Sequence, residues 1–225
     1  MTRFLKVGVD LDAEKAFQLH NTCFGDEREW FDAFLSAAEG QGYLAFCESG
    51  DYVGGMFLLD AFFDGYRGKY VYALGVHPNF RGRGIAKELL EAAKSLSDDF
   101  TLICAADKKL AATYEKYGFD CYVGGTVRAG DALGAEMDTS LYKTTCSYED
   151  IRHGLLLNKK LFEFALGGSC CATLYTNGDS IIASSAAGVY AAYGVEPRVL
   201  QKAQLYLKKD IDLNGAIADL ILETV

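Results

Sequence analysis

Six consecutive residues near the middle of the chain carry the clearest chemistry: Arg81-Gly82-Arg83-Gly84-Ile85-Ala86. An apolar, β-like run from Tyr70 through Leu74, Gly75 and Val76 precedes them, and an amphipathic run to Leu96 follows. Two glycines within three positions let the backbone curl with its N–H groups inward and no Cβ in the way. A helix start adds unpaired N–H groups and partial positive charge. Arg81 and Arg83 add permanent charge in forked geometry. Strand, turn and helix start in that order predict a cradle for an anion, best a phosphate or pyrophosphate.

The turn is not a P-loop, because no Gly-Lys-Ser/Thr follows, and Gly82-Arg-Gly84 lacks the third glycine of a dinucleotide turn. It resembles the acyl-CoA-binding motif of the GNAT family of N-acetyltransferases, Arg/Gln-x-x-Gly-x-Gly/Ala, which Arg81 to Ala86 matches. Leu74-x-Val76-x-Pro78 is similar to that family's strand ending. Further on, Ala111-x-x-Tyr114-Glu-Lys-x-Gly118-Phe119 resembles its tyrosine-bearing helix closing in Gly-Phe. The resemblance covers about residues 3–125.

What the resemblance implies is an α/β fold with a mixed, mostly antiparallel sheet flanked by helices. The implied reaction is direct transfer of the acetyl group of acetyl-CoA to a primary amine in a ternary complex. The pantetheine arm is expected along the main chain of Leu74, Gly75 and Val76, with the Val76 N–H as oxyanion donor. The pyrophosphate is expected on Arg81, Gly82, Arg83, Gly84, Ile85 and Ala86. Tyr114 aligns with the tyrosine that protonates the departing thiolate, a task a phenol near pKa ~10 suits. The alternative is a non-catalytic acyl-CoA-binding sensor or interaction module that keeps the turn and loses the chemistry.

Amine acetylation also needs a base. The strand Lys69 to Leu74 carries no carboxylate. Asp60 and Asp64 on the preceding arm, sharing one face of a strand, and Tyr72 are the candidates for base or acceptor cleft, with His77 behind them. Tyr72 is expected on the same face as Tyr70 and Leu74. A water relay serves if the amine arrives neutral. Asp107 stands where the family often has a cofactor-contacting asparagine or serine, and it reads here as a helix cap. Cys104, in a β-run, reads as inert. No metal is expected, since Cys170-Cys171 has no histidine at ligand spacing.

Positioning these groups takes a strand at 4–9, helices at about 13–22 and 27–38, and a hairpin of 42–48 with 52–64. Strand 69–76, helix 84–97 and strand 100–105 then form a right-handed crossover, so the two strands run parallel. A helix over about 108–117 ends at Gly118. Residues 128–134 read as a loop, 136–145 as the family's last strand, and 148–166 as a helix. Asn177-Gly178 predicts a hairpin, and 197–208 and 213–223 predict helices. The expected division is an acetyltransferase domain over 1–145 and a C-terminal α+β extension over 146–225, suited to acceptor selectivity or homodimerisation.

Composition sets the outer limits. The chain has 225 residues, half of them hydrophobic and 28 of them Phe or Tyr, enough for a sizeable core. Net charge is −9 and neither half is basic, which argues against nucleic acid as a partner. Arg81, Arg83 and Lys87 reverse that sign locally, as a polyanion site would. Seven cysteines without a Cys-x-x-Cys fit a reduced, cytoplasmic chain. The opening residues lack a leader pattern. The longest uncharged run, 180–195, is too short and polar to span a membrane, so no membrane partner is expected.

Overall fold

In the computed structural model, strand β1 (Thr2–Lys6) pairs antiparallel with β2 (Gly42–Glu48), β2 with β3 (Asp51–Phe63), and β3 with β4 (Tyr66–Val76). The structure describes residues 1–63, 65–126, 144–148, 156–167, 173–176, 178, 181–185, 188–193, 200–211 and 217–218. Ser49 and Gly50, both at positive φ, make the tight β2–β3 turn. Helices α1 (Ala13–Phe24) and α2 (Arg28–Ala37) lie between β1 and β2. Asp12 caps α1 by accepting from the Lys15 amide, and left-handed Gly25 ends it.

From β4 the chain passes through a 3-10 turn at Pro78–Phe80 into α3 (Ile85–Leu96) and returns in β5 (Phe100–Cys104), parallel to β4. Helix α4 (Lys108–Glu115) follows, capped by the Asp107 carboxylate on the Leu110 amide at 2.7 Å, and then β6 (Cys121–Thr126). Gly118 takes the left-handed conformation expected after the helix.

The later segments complete the sheet in an unexpected way. Residues read as a helix over 197–208 form strand β12 (Leu200–Leu207), lying antiparallel between β5 and β6. The strand expected at 136–145 is described only as β7 (Thr144–Thr145), in a different sheet, while 128–134 lies outside the described residues. Main-sheet order is β1-β2-β3-β4-β5-β12-β6-β13, where β13 (Ile217–Ala218) runs parallel to β6, inside the segment read as helix 213–223. Short β8 (Leu156–Leu157) adds to β3 at Ala61 and Phe62. The sheet therefore draws strands from both sides of the boundary expected at 145. Buried Gln204 on β12 donates its side-chain amide to the carbonyls of Ala111 and Phe119, tying the strand to α4. The Lys208 amide donates to Asp99 O at 2.9 Å.

Within the segment expected to be helix 148–166, the described helix is α5 (Lys159–Gly167). The Phe164 ring of α5 meets Trp30 and Phe34 of α2 at 5.8 and 5.7 Å. A second sheet, β11-β10-β9-β7, contains the hairpin of β9 (Thr173–Thr176) and β10 (Ile181–Ser185) around Gly178, followed by β11 (Gly188–Tyr193).

Each face of the main sheet has its own core. On one face Phe31, Phe34 and Phe57 are fully enclosed with Tyr70 and Tyr72 beneath α1 and α2. On the other, Leu89, Leu90 and Phe119 pack with Val71, Ile103 and Tyr114 beneath α3 and α4. Complete burial of such side chains contributes roughly 1.5–3 kcal/mol each. No described helix is long and apolar enough to cross a membrane.

Candidate functional site

Strand β4 changes character halfway along. Its ladder with β5 runs only from Gly68 to Val71, against Phe100 to Ile103. Its ladder with β3 continues to Gly75 and Val76, opposite Gly55 and Gly54. Past Val71, among the described residues, the β5-facing edge of β4 has no strand beside it. A strand edge left open in this way can pair with another extended chain.

A bulge accompanies the opening. The β3–β4 register shifts between Gly55 and Phe57, setting Ala73 and Leu74 against Met56, and Ala73 takes φ 52°. A left-handed alanine costs roughly 1–2 kcal/mol. The extra residue reverses the inward–outward alternation. Tyr70 and Tyr72 therefore pack on the α1–α2 side, whereas Leu74 and Val76 join the α3–α4 side. This corrects the expectation that Tyr72 and Leu74 share a face. Gly75 now turns toward α1, where an added Cβ would lie 2.9 Å from Cys23 Sγ and 3.2 Å from the Phe24 ring.

The glycine turn lies just beyond that edge. Gly82 and Gly84 adopt positive φ, 77° and 81°, with open space where a Cβ would be. Gly84 is the N-cap of α3 and no side chain caps the helix, so its first N–H groups remain available. The two arginines behave differently. Arg81 folds back, Nε donating to Val76 O at 3.1 Å. Arg83 lies 3.6 Å from the Glu48 carboxylate and covers the Phe80 ring at 4.7 Å.

One cavity of about 640 Å³ joins these parts. Leu74, Gly75 and Val76 form one wall, and Arg81, Gly82, Gly84, Ile85 and Ala86 line the turn end, beside Lys87. Tyr114, Thr113 and Tyr117 close it from α4 and its end, and Cys23 and Phe24 from the end of α1. Eight of the nine residues expected to hold the cofactor thus share one space with Tyr114, while Arg83 stands aside. Sequence reasoning missed Cys23 and Phe24. The available signal was Gly75, a small residue where something packs closely.

Tyr114 is buried, and desolvation, with lesser contributions from Asp107 and Cys104, pushes its phenol up to about 12. It stays protonated throughout the neutral range. The Cys104 thiol is likewise pushed up to about 12 by burial, which keeps it a neutral thiol.

The base candidates scatter. Asp60 pairs across the strands with Lys69, its Oδ1 accepting from Lys69 Nζ, at the end of β4 remote from Leu74–Val76. Asp64 lies outside the described residues. Tyr72 is buried against Phe34, ring centroids 4.9 Å apart. His77 accepts from the Asn79 amide through Nδ1 and lines a separate cavity of about 370 Å³ with Lys15 and Tyr52. Among the described residues no cluster of three or more His, Cys, Asp or Glu side chains is arranged to hold a metal ion.

Comparison with known proteins bears on the fold that carries this cavity. Residues 9–119 match the model of the acetyltransferase (GNAT) family. A GCN5-related N-acetyltransferase from Kribbella flavida superposes with a TM-score of 0.56 at 14% identity, over 92% of this chain and 72% of that protein. Eis1 from Mycobacterium abscessus gives 0.53 at 15% identity, over 81% of this chain and 53% of its own, so the chain spans about half of that relative. At such identities the likeness is one of fold. The comparison with curated proteins found no match. Over residues 9–119 the chain therefore matches the acetyltransferase (GNAT) family in sequence, and its fold is that of GNAT proteins.

Proposed function

We propose that the chain is an N-acetyltransferase that transfers the acetyl group of acetyl-CoA directly to a primary amine, with both substrates bound at once. The observation that carries this reading is the unpaired edge of β4 leading into the uncapped N-terminus of α3 within one cavity. That combination suits a ligand with an amide-bearing arm and a pyrophosphate. The arm adds beside Leu74–Val76 as a short strand, and the phosphates take the amides of Gly82–Ala86, with Arg81 and Lys87 supplying charge. Arg83 reaches the phosphates only by leaving Glu48.

The chemistry then follows from what surrounds the thioester. The Val76 N–H is the oxyanion donor in this reading. Tyr114 protonates the leaving thiolate. A phenol with pKa about 12 is never depleted of its proton at working pH. Asp60 is no base in this scheme, because Lys69 holds it at the far end of the strand. The amine passes its proton to water in this reading, since among the described residues no carboxylate lines the cavity. The main sheet takes its strands from residues 1–126 and from β8, β12 and β13, and α5, packed on the α2 side, helps select the acceptor in this reading. The acidity of the chain favours a cationic amine.

The test is release of free thiol from acetyl-CoA against a panel of primary amines, for the native protein and Tyr114→Phe. Release with at least one amine is expected. The Tyr114→Phe variant is expected to turn over roughly 10²–10⁴-fold more slowly with acetyl-CoA affinity intact. An undiminished rate removes Tyr114 as the acid. Binding without release on any amine favours the sensor over the enzyme.

A further inference from the structure

The second cavity, of about 370 Å³, lies between α1 and the β2–β3 hairpin, and among the described residues Phe80 alone lines both it and the cleft of the glycine turn. Its size falls within the range of about 300–1,000 Å³ that small-molecule sites occupy. Leu19, Val53 and Phe80 give it apolar walls, and Glu48, Asp51, Tyr52 and His77 bring polar groups to it. Its charge is unbalanced. Glu48 and Asp51 stand directly opposite each other across the β2–β3 ladder, and like charges so placed destabilise a hairpin. The Lys15 ammonium, which shares the cavity, is committed elsewhere: it donates to Gly50 O at 2.6 Å and lies 3.9 Å from the Asp12 carboxylate. Among the described residues the one cation within 4 Å of either carboxylate is Arg83, 3.6 Å from Glu48, and Asp51 has none. The same guanidinium covers the Phe80 ring at 4.7 Å. Arg83 is not part of the cavity lining, yet it meets from outside the ring and the carboxylate that a cation inside would use.

We propose that this second cavity binds a small organic cation, a primary amine or a guanidinium, between Glu48 and Asp51 and against Phe80. Such a cation relieves the opposed carboxylates, and the −9 charge of the chain favours its approach. It also competes with Arg83 for Glu48. Once released, Arg83 has phosphates on the glycine turn as its next anion, so the cation and acyl-CoA each tighten the binding of the other by the same factor. The cation site stands without the acyl-CoA reading of the cleft, and the coupling rests on it. Both partners of the Arg83–Glu48 pair are about half-exposed, and pairs of that kind are weak, so the coupling is about two- to fivefold.

The experiment is titration of the full chain with agmatine, which carries both an amine and a guanidinium, against sodium chloride of matched ionic strength. Amide NMR follows it for the native protein, Asp51→Asn and Glu48→Gln. Saturable shifts are expected at the amides of Ser49 to Val53 and of His77, with each variant weakening agmatine at least severalfold while the rest of its spectrum stays native. Calorimetric titration with CoA, which has the phosphates and no acyl group to transfer, then reads the coupling. The native protein is expected to bind CoA about two- to fivefold more tightly with agmatine present. Glu48→Gln is expected to show a similar gain without agmatine, and Arg83→Gln to gain nothing from it. No saturable shift at millimolar agmatine, shifts that both variants leave unchanged, or shifts confined to the Leu74–Val76 cleft overturn the site. Agmatine that binds at Glu48 and Asp51 without changing CoA affinity overturns the coupling. A native chain that does not bind CoA overturns the cleft assignment, while the agmatine shifts still decide the second site.

Discussion

Replacing Gly84 by Asp separates binding from folding. Gly84 sits at φ 81° with no atom within 4 Å of where a Cβ would project. The added side chain therefore meets no steric obstacle, and the folding cost is the left-handed backbone, roughly 1–2 kcal/mol for a non-glycine residue. A carboxylate beside the α3 N-terminus recovers about 0.3–1 kcal/mol of that from the helix dipole. The net loss, about 1 kcal/mol, is small beside a typical stability of about 5–15 kcal/mol, so the variant folds. The effect on a bound pyrophosphate is larger. One like charge at about 4 Å costs about 1 kcal/mol in bulk water and about 4 kcal/mol at a protein surface, and two phosphates face it. A loss of at least 2 kcal/mol, about thirtyfold in affinity, is expected. The assay is titration with acetyl-CoA, with circular dichroism as the folding control and Gly84→Ala as a variant carrying strain without charge. The loss should exceed that of Gly84→Ala and shrink as salt is added. A folded Gly84→Asp protein with native affinity would refute the assignment of the turn.

Lys94, buried on α3, donates to Glu91 Oε1 at 2.9 Å and to Tyr117 O, and lies over the rings of Phe119 and Tyr206 at 5.3 and 4.6 Å. Lys94→Met keeps the packing but removes a charged hydrogen bond and two cation–π contacts, so chemical denaturation should show a loss of about 2–3 kcal/mol; an unchanged midpoint contradicts the role. Burial pulls the His20 imidazole below its ordinary 6.5, against the opposing pull of the Asp26 hydrogen bond. The neutral form is thus favoured in the fold: stability is full above about pH 6.5 and declines as pH falls toward the lowered value. Asp26→Asn removes the opposing pull and should move the His20 ring titration, followed by NMR, lower still; a His20 that titrates at or above 6.5 in the native protein contradicts this. With the Tyr114 phenol at about 12, turnover should show no descending alkaline limb from this residue up to pH 10, whereas a descent near pH 8–9 that Tyr114→Phe abolishes would place its proton elsewhere.

Much of the site was legible because it is local. Arg81 to Ala86 reads as a candidate anion turn by composition, and Tyr114 with Gly118-Phe119 marks the helix beside it, each within a dozen residues. Features that depend on distant partners were not legible. Nothing in Tyr72-Ala73-Leu74 signals a bulge. It arises because β4 is paired with β3 on one side and released from β5 on the other, and it moves Leu74 to the opposite face. Leu200 to Leu207 contains Leu, Gln, Lys and Ala, all good helix formers. It becomes a strand because β5 and β6 leave a gap that a chain with its own N–H and C=O groups must fill. The reach of Cys23 and Phe24 into the cavity is likewise tertiary: α1 lies some fifty residues before Gly75 in sequence yet ends against it.

The central claim is that the cleft beside β4 takes acyl-CoA, and calorimetric titration of the native chain with acetyl-CoA tests it most directly. The account predicts saturable binding to one site per chain, weakened by salt in keeping with phosphates on the glycine turn. No heat of binding, with a folded protein and ligand at millimolar concentration, would contradict it and return the turn to ordinary surface structure.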